Sequence, residues 1–481
     1  MADKITPRAE DYSAWYLDVI REAQLAENSP VRGCMVIRPY GYRLWEAVRD
    51  GLDRRFKATG HENAYFPLFI PMSFIQKEAE HVEGFAPELA VVTIGGGKEL
   101  EEPLVVRPTS ETIIGHTYSR WIQSYRDLPV LINQWANVVR WEIRTRPFLR
   151  TMEFLWQEGH TAHATAEEAV EETLRMLDVY ADFAINDAAI PVIKGLKSER
   201  EKFAGAVNSY AIEAMMGNGW ALQAGTSHYL GANFAKAFDI KFLDPNNEMQ
   251  YCHTTSWGVS TRMVGAVIMA HGDDQGLRLP PVMAPIQVVV VPIWRTEDER
   301  PGVLELANRV TATLAGAGLR VKLDDRADQT PGFKFNDWEM RGVPARVEIG
   351  PRDVKQNAVV LARRDRVGKE GKLFGVPVDG VVERVQELLR EIQANLLAQA
   401  TAYRDANTHR VSSYDEFKRV LDEQGGFLRV HWAGTSEDEA RIQEETKATL
   451  RCLPLDAPEG EGACFLTGQK TSRIAIFARA Y

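Results

Sequence analysis

The sequence is poor in cysteine. Cys34, Cys252, Cys452 and Cys464 are the only four in 481 residues, and no two form a CxxC pair. A disulfide-built framework is therefore excluded. Long apolar runs are also missing: the stretch 288–294 is far short of the ~20 residues that a membrane span needs. The amino terminus, MADKITPRAEDYSAWY, is charged and has no apolar secretory core. Basic excess is absent too, with 57 Lys+Arg against 67 Asp+Glu and a net charge of −10. Such a balance excludes a surface coated in basic charge for indiscriminate nucleic-acid binding, while leaving room for a local basic face. No GxxxxGK[ST] string occurs, so phosphates are not cradled by a P-loop. Gly95-Gly96-Gly97 lacks the strand–helix context of a dinucleotide fingerprint and predicts a hairpin turn. HExxH is absent, and His160 and His163 have no third ligand nearby. No repeat of fixed period and no low-complexity tract is visible. With 45% hydrophobic residues the chain has ample material for large cores, and its expected setting is soluble and cytoplasmic.

Three regions separate by pattern. Residues 1–283 mix long helical segments, strand-like runs and polar-aromatic clusters. In 42–56 the residues Tyr42, Trp45, Val48, Leu52 and Phe56 recur at helical spacing, and Gly60 ends the pattern. Residues 61–70 then predict a strand interrupted by Pro67. Leu279-Pro280-Pro281 punctuates the chain. Beyond it, 284–405 alternates strands (286–293, 319–323, 343–349, 357–362) with helices, the last over 381–402. That order predicts a small α/β domain with a mostly parallel sheet. Residues 406–481 form a third unit, acidic in its middle and closing on a strand at 474–477.

The chemistry concentrates on strand-like sequence in the first region. Residues 138–144 alternate, which places Arg140 and Glu142 on one face. A loop carries Arg150 and Thr151. A second strand places Phe154, Trp156, Glu158 and His160 on one face. A face carrying two arginines, carboxylates and large aromatics suits neither water nor an ordinary core, where each unpaired ion costs several kcal/mol. A ligand cleft resolves the conflict: guanidinium for phosphate or carboxylate, an aromatic plane for a base, a carboxylate for an amine. Arg107-Pro-Thr109-Ser-Glu111 sits just before a helix, and either caps it or binds a ligand. Leu222-Gln223-Ala-Gly-Thr226-Ser-His228 alternates polar groups along a glycine-containing strand. His253-Thr-Thr-Ser256-Trp-Gly-Val-Ser260-Thr-Arg262 leads into an apolar helix, where an arginine meets polyphosphate well.

At these residues the chain resembles a class II aminoacyl-tRNA synthetase. Residues 41–71 look like motif 1, 138–160 like motif 2 and 257–271 like motif 3. Within the class it resembles the prolyl-tRNA synthetases of archaeal/eukaryotic-like type. The strings are Cys34-Met-Val-Ile-Arg-Pro-Tyr-Gly41, Arg107-Pro-Thr-Ser-Glu111, Phe148-Leu-Arg-Thr151, Phe154-Leu-Trp-Gln-Glu-Gly-His160, Lys202-Phe-Ala-Gly205 and Ala480-Tyr481. The resemblance implies an α+β catalytic domain (an antiparallel sheet with flanking helices), an α/β anticodon-binding domain and a small α/β carboxy-terminal domain. It implies that proline is activated with ATP and Mg²⁺ and then transferred to the 3′ end of its tRNA. Arg140 would hold the α-phosphate and the proline carboxylate. Glu142, Arg150, Thr151 and Phe154 would bind ATP. Arg262 and Ser260 would meet the nucleotide from its other side, with Gln223 and Thr226 holding ATP and Mg²⁺. Thr109 and Glu111 would receive the proline ammonium, and Trp156, Glu158, Phe203, His228 and Ser256 would shape its pocket. A homodimer through motif 1 is also implied.

The middle region resembles a class IIa anticodon-binding domain. Between Gly332 and Lys372 stand ten Lys/Arg against six acids, which fits a phosphate-binding face. Lys334, Phe335, Trp338, Arg346 and Arg352 are the candidates there. Two departures from relatives carry expectations. Of two cysteine pairs that often hold zinc in the third domain only Cys464 remains, and one thiolate cannot close a tetrahedral site. The stretch between His160 and Trp257 is too short for the large editing insertion of many bacterial relatives, so no hydrolysis of alanyl-tRNA in cis is expected. A non-catalytic, RNA-binding or regulatory paralogue is the competing class. An ATP-dependent ligase with a small acceptor, or threonyl or glycyl specificity, stands behind it.

Overall fold

The computed structural model describes residues 5–81, 89–366, 368–456 and 460–481. Its spine is an eleven-stranded sheet. The labelled elements of the first region, in chain order, are α1 (Pro39–Ala58), β1 (Glu62–Asn63), α2 (Glu111–Trp121), β2 (Val130–Val139), β3 (Glu153–His163), α3 (Ala166–Asn186), β4 (Val192–Leu196), β5 (Asn208–Met215), β6 (Ala221–Gly231), β7 (His253–Ser260) and α4 (Arg262–His271). The sheet order here is β4-β5-β6-β7-β3-β2-β1, antiparallel except for β1 on β2.

Helix α1 forms as its spacing predicts, with Trp45, Val48, Leu52 and Phe56 buried and Gly60 in the left-handed conformation behind it. Tyr42, expected on the same face, is instead 39% exposed; Tyr40, Gly41 and Leu44 take the buried positions. The segment expected as one strand over 61–70 splits at Pro67, which has no N–H for a ladder. Glu62–Asn63 joins the spine, and Phe69–Pro71 joins a separate three-stranded sheet. That sheet contains the hairpin Ala90–Gly95 and Lys98–Val106, turned by Gly96 and Gly97, both at positive φ.

The middle region contains β8 (Val288–Pro292), α5 (Arg300–Gly316), β9 (Val321–Leu323), α6 (Pro331–Met340), β10 (Ala345–Ile349), β11 (Ala358–Arg363), β12 (Lys372–Pro377) and α7 (Val381–Ala406). Its sheet order is β9-β8-β10-β11-β12. Two pairings are parallel and two antiparallel, so the sheet is mixed rather than mostly parallel. Helices α5 and α7 bury Val303, Val310, Val385 and Leu388 against it.

The third region holds β13 (Thr408–Arg410), β14 (Phe427–His431), α8 (Ser436–Thr446), β15 (Thr449–Pro454) and β16 (Ile474–Ala478). It is not a separate sheet. Leu453 and Pro454 of β15 pair with Leu196 and Gly195 of β4, so the order β13-β14-β16-β15 continues straight into the spine. The region where relatives often hold zinc is apolar: Cys464 is buried with Trp432, Phe465 and Phe477, and its Sγ accepts from the Ala433 N–H. A lone thiol in that setting does not fit a zinc ion, and among the described residues no cluster of three or more His, Cys, Asp or Glu could hold a metal. No helix there is long and apolar enough to cross a membrane.

Candidate active site

A cavity of about 280 Å³ opens on the face of β3, β6 and β7. The pleat of β3 brings Phe154, Trp156, Glu158 and His160 to its wall as the alternation predicts. Register does the rest: His228 of β6 pairs with Ser256 of β7, which pairs with His160 of β3. On β6 a bulge opposite Ile212/Glu213 inserts Ala224. The extra residue resets the alternation, so that Gln223 and Thr226 both line the cavity.

Arg140 differs from its predicted setting. Strand β2 stops at Val139, and Arg140 and Glu142 leave it on a loop rather than sharing a strand face. Arg140 turns into the cleft, donating from Nε to the Pro108 carbonyl at 3.0 Å. Its guanidinium lies over the rings of Phe154 (5.5 Å) and Trp156 (5.3 Å). Crowding by protein lowers its pKa although water reaches it through the cleft mouth; Glu111 and Glu158 counter that shift. Glu142 goes the other way and pairs with Arg150 Nε at 3.1 Å. Thr151 donates to the Glu153 carbonyl at 2.7 Å. Glu142, Arg150 and Thr151 thus sit on the loop bordering the cavity, outside its lining.

Arg262 opens α4 at the opposite wall. It is held by backbone carbonyls, Nε to Leu149 at 3.2 Å and Nη1 to Gln223 at 3.4 Å, and its N–H donates to Ser260 Oγ. Burial lowers its pKa to about 10, assisted by the repulsion of Arg140 and Arg150. It stays cationic at neutral pH.

The third wall carries the carboxylates. Helix α2 starts at Glu111 with no side-chain cap, so the capping alternative for Thr109 and Ser110 is not realised. Thr109 Oγ1 instead donates to Glu111, and Ser110 Oγ donates to Glu158 Oε1 at 2.6 Å. Glu158 also accepts from Gln134 Nε2 at 2.9 Å and sits 2.9 Å from His160 Nε2. Burial pushes the Glu158 pKa up, but the bonds from His160, Ser110 and Gln134 outweigh it, and the net shift is down. The His160 pKa is raised, because the Glu158 carboxylate overcomes burial. The two form a buried ion pair. His228, by contrast, is pushed down to about 3 by burial and by the nearby His160. It stays neutral, bonded to Ser209 Oγ at 2.8 Å and stacked on Phe203 at 4.8 Å.

Three charged or hydroxyl-bearing lining residues escaped the sequence reading: Lys197, Glu201 and Ser209. Only the neighbouring Lys202-Phe-Ala-Gly205 string hinted at the first two. Three buried polar atoms of lining residues have no partner among the described residues, Trp156 Nε1, Ser256 Oγ and Trp257 Nε1. Such orphans are costly unless a ligand satisfies them.

The terminal Tyr481 docks nearby. Its N–H donates to the Ala221 carbonyl at the start of β6, Asn218 donates to its hydroxyl, and Arg146 of the 140–152 loop lies over its ring at 5.5 Å.

A second cavity, about 490 Å³, lies on the middle domain and is lined by Glu339, Arg346, Arg363, Arg364, Arg366, Lys369 and Lys372 among others. Of the five candidates predicted there, Arg346 lines it. Phe335 lies beneath the Arg346 guanidinium, 3.9 Å away. Lys334 and Trp338 are buried and bind Asp324 through its carbonyl and carboxylate. Arg352 is exposed on the helix Pro351–Gln356, away from the cavity lining.

Comparison with known proteins agrees with this geometry. Residues 92–271 match the tRNA synthetase class II core domain (G, H, P, S and T), 287–388 the anticodon binding domain, and 414–481 the prolyl-tRNA synthetase C-terminal domain. A proline–tRNA ligase of a Roseiflexus species (strain RS-1) is 62% identical over 479 residues, 99% of each chain. The chloroplastic/mitochondrial proline–tRNA ligase of Arabidopsis thaliana is 58% identical over 99% of this chain and 88% of its own. The crystal structure of prolyl-tRNA synthetase from Cryptosporidium parvum, complexed with halofuginone and AMPPNP, superposes with a TM-score of 0.94 at 38% identity over the whole of both chains.

Proposed function

Because this chain belongs to the prolyl-tRNA synthetases of class II, we propose that its cavity activates L-proline with ATP and passes the prolyl group to the 3′ end of tRNA(Pro). The observation that carries the reading is the pairing of two carbonyl-anchored arginines with a carboxylate pocket in one cleft. One proline carboxylate oxygen attacks the α-phosphorus as the bond to the departing pyrophosphate oxygen breaks. Both reactants are anions, so fixed cations and alignment matter more than a general base. Arg140 bridges the proline carboxylate and the α-phosphate. Arg262 meets the polyphosphate across the cleft, with Ser260 at its backbone. Phe154 stacks on adenine, and Glu142, Arg150 and Thr151 close from the loop when nucleotide enters. Thr109 and Glu111 receive the ammonium. Trp156, Phe203, His228 and Ser256 enclose the ring, and the Glu158–His160 pair fixes the floor.

Mg²⁺ fits the neutral side-chain oxygens of Gln223 and Thr226, which face the cleft where a polyphosphate would supply the charged ligands. Bound there, it would supply charge neutralisation for the pyrophosphate group. The basic cavity of the middle domain, with Arg346 at its wall, takes the anticodon. A homodimer through motif 1 is supported by exposed apolar side chains near β1, Tyr65 at 72% and Phe69 at 44%. The cytoplasm is its proposed setting. We propose no editing in cis, since the residues between β3 and β7 go into α3, β4, β5, β6 and small flanking elements of the catalytic domain.

ATP–pyrophosphate exchange with each amino acid in turn tests the reading. Strong exchange with proline and weaker exchange with alanine is expected. Folded protein that binds tRNA but exchanges with no amino acid is instead a non-catalytic paralogue.

A further inference from the structure

The connection between β4 and β5 bears Lys197, Glu201 and Phe203, all on the cavity wall. Within the catalytic domain it is tied by the Lys197 N–H to the Ser209 carbonyl and by the Phe203 N–H to Ser209 Oγ at 2.9 Å. Its far end is tied in the same domain by Asn233 to the Gly205 carbonyl and by the Val207 N–H to the Tyr229 carbonyl, and Lys197 faces Glu213 of β5; the other side-chain anchors of 197–200 come from the third region. Ser198 Oγ donates to Glu439 Oε2 of α8 at 2.7 Å, with both residues buried. Arg200 Nη2 donates to Gln443 Oε1, one turn further along α8, at 2.7 Å. Lys197 Nζ donates to the Arg451 carbonyl of β15 at 2.7 Å. The Arg451 guanidinium in turn holds Glu213 of β5, which also faces Lys197. The segment that places Phe203 against His228 is thus held from outside by a unit with no lining residue of its own in the cavity.

We propose that the carboxy-terminal unit is a positioning device for the proline-side wall, with Glu439 and Arg451 as positioning residues that hold 197–203 in the shape that closes on the amino acid. The inference rests on the reading that this cavity takes proline. The geometry favours positioning over plain packing. The contacts converge on one short cavity-lining connection, and they are directional hydrogen bonds to charged or carbonyl groups, whose geometry fixes a segment more narrowly than apolar contact does. The unit also meets the start of β6 and Arg146 through Tyr481, but Glu439 and Ser198 take no part in those contacts, so their substitution should leave nucleotide binding unchanged.

The test is proline-dependent ATP–pyrophosphate exchange by the full-length protein, with the KM of proline and of ATP measured separately. Glu439→Ala and Ser198→Ala should each raise the KM for proline about tenfold, the scale of a lost hydrogen bond to a charged group. The KM for ATP and the melting temperature should stay near wild type. The double variant should be no worse than the worse single, and Glu439→Gln, which keeps an acceptor oxygen, should recover most of the loss. Ser198→Ala removes one hydroxyl and keeps the proposal falsifiable if Glu439→Ala folds poorly. An unchanged proline KM in both variants, additive effects in the double, or parallel rises in both KM values with a lowered melting temperature would each overturn it. Wild-type protein without proline-dependent exchange overturns the parent reading instead.

Discussion

The catalytic cleft and the basic cavity of the middle domain are both lined with arginine, yet their arginines are in opposite states. Among the described residues, Arg140 and Arg262 form no ion pair; backbone carbonyls of Pro108, Leu149 and Gln223 fix them. In the middle domain Arg346 pairs with Glu339 and Glu348, Arg363 with Asp365 and Glu391, and Arg364 with Asp273. A carbonyl orients a guanidinium without cancelling its charge. A carboxylate does both. The first arrangement suits a site that must stabilise charge on a transferring phosphate. The second presents oriented donors with little net field, which suits reading the edges of unpaired bases. Arg366 and Lys369 differ from their neighbours: both are exposed at the cavity rim and form none of the described ion pairs. We propose that these two meet the phosphate backbone of the bound tRNA.

The largest effect should come from breaking the cleft's side of this contrast. Arg140→Ala should lower proline-dependent exchange by about 10³-fold with the fold intact, the scale of losing a charge-stabilising donor. Circular dichroism beside the exchange assay checks both halves. Glu158→Gln should come next. It leaves His160 without its buried counter-charge, and should cost about 3 kcal/mol of stability in denaturant unfolding while raising the KM for proline. On the other side, Arg366→Ala combined with Lys369→Ala should raise the KM for tRNA about tenfold and leave exchange unchanged. The slope of log affinity against log salt should fall by about two.

Substrate choice sharpens the same contrast. Alanine fills the pocket less fully than proline, and missing methylenes discriminate by only about 1–3 kcal/mol. Alanyl-tRNA(Pro) should therefore form and persist in a charging assay with the pure protein, and rapid clearance would show an editing activity. The smallest effect is in pH. The His160 pKa is raised, so the pair's contribution to stability is complete below the ordinary histidine value and fades as pH rises through the folded one. The Glu158 pKa is lowered, so its contribution is present above the ordinary carboxylate value and fades in acid. His228, held at about 3, refuses a proton that the unfolded chain accepts, so stability falls as pH drops below about 6.5. His228→Asn should flatten that acid limb in urea titrations.

Much of the cleft is legible in the sequence, because strand alternation is local. The pleat that carries Phe154, Trp156, Glu158 and His160 follows from spacing two. What alternation cannot show is where a strand ends or slips. Strand β2 stops one residue before Arg140, and the bulge at Ala224 lets Gln223 and Thr226 share a wall. Charge counting in 332–372 detects the basic excess but not its partners, because Asp273 and Glu391 lie far away in sequence. Lys334 and Trp338 look like ligand-binding groups until Asp324, from an adjacent loop, claims both. The fusion of β15 onto β4 depends on two residue pairs across the whole chain, and no periodicity announces it.

The central claim is that the cleft holds its two cations unpaired for the prolyl-adenylate. A crystal structure with a non-hydrolysable prolyl-adenylate analogue tests it most directly. The account predicts the Arg140 guanidinium on the linkage that replaces the α-phosphate, the adenine on Phe154, and the ammonium between Thr109 and Glu111. An analogue bound with its ammonium elsewhere, or with Arg140 turned away to a carboxylate, would contradict it.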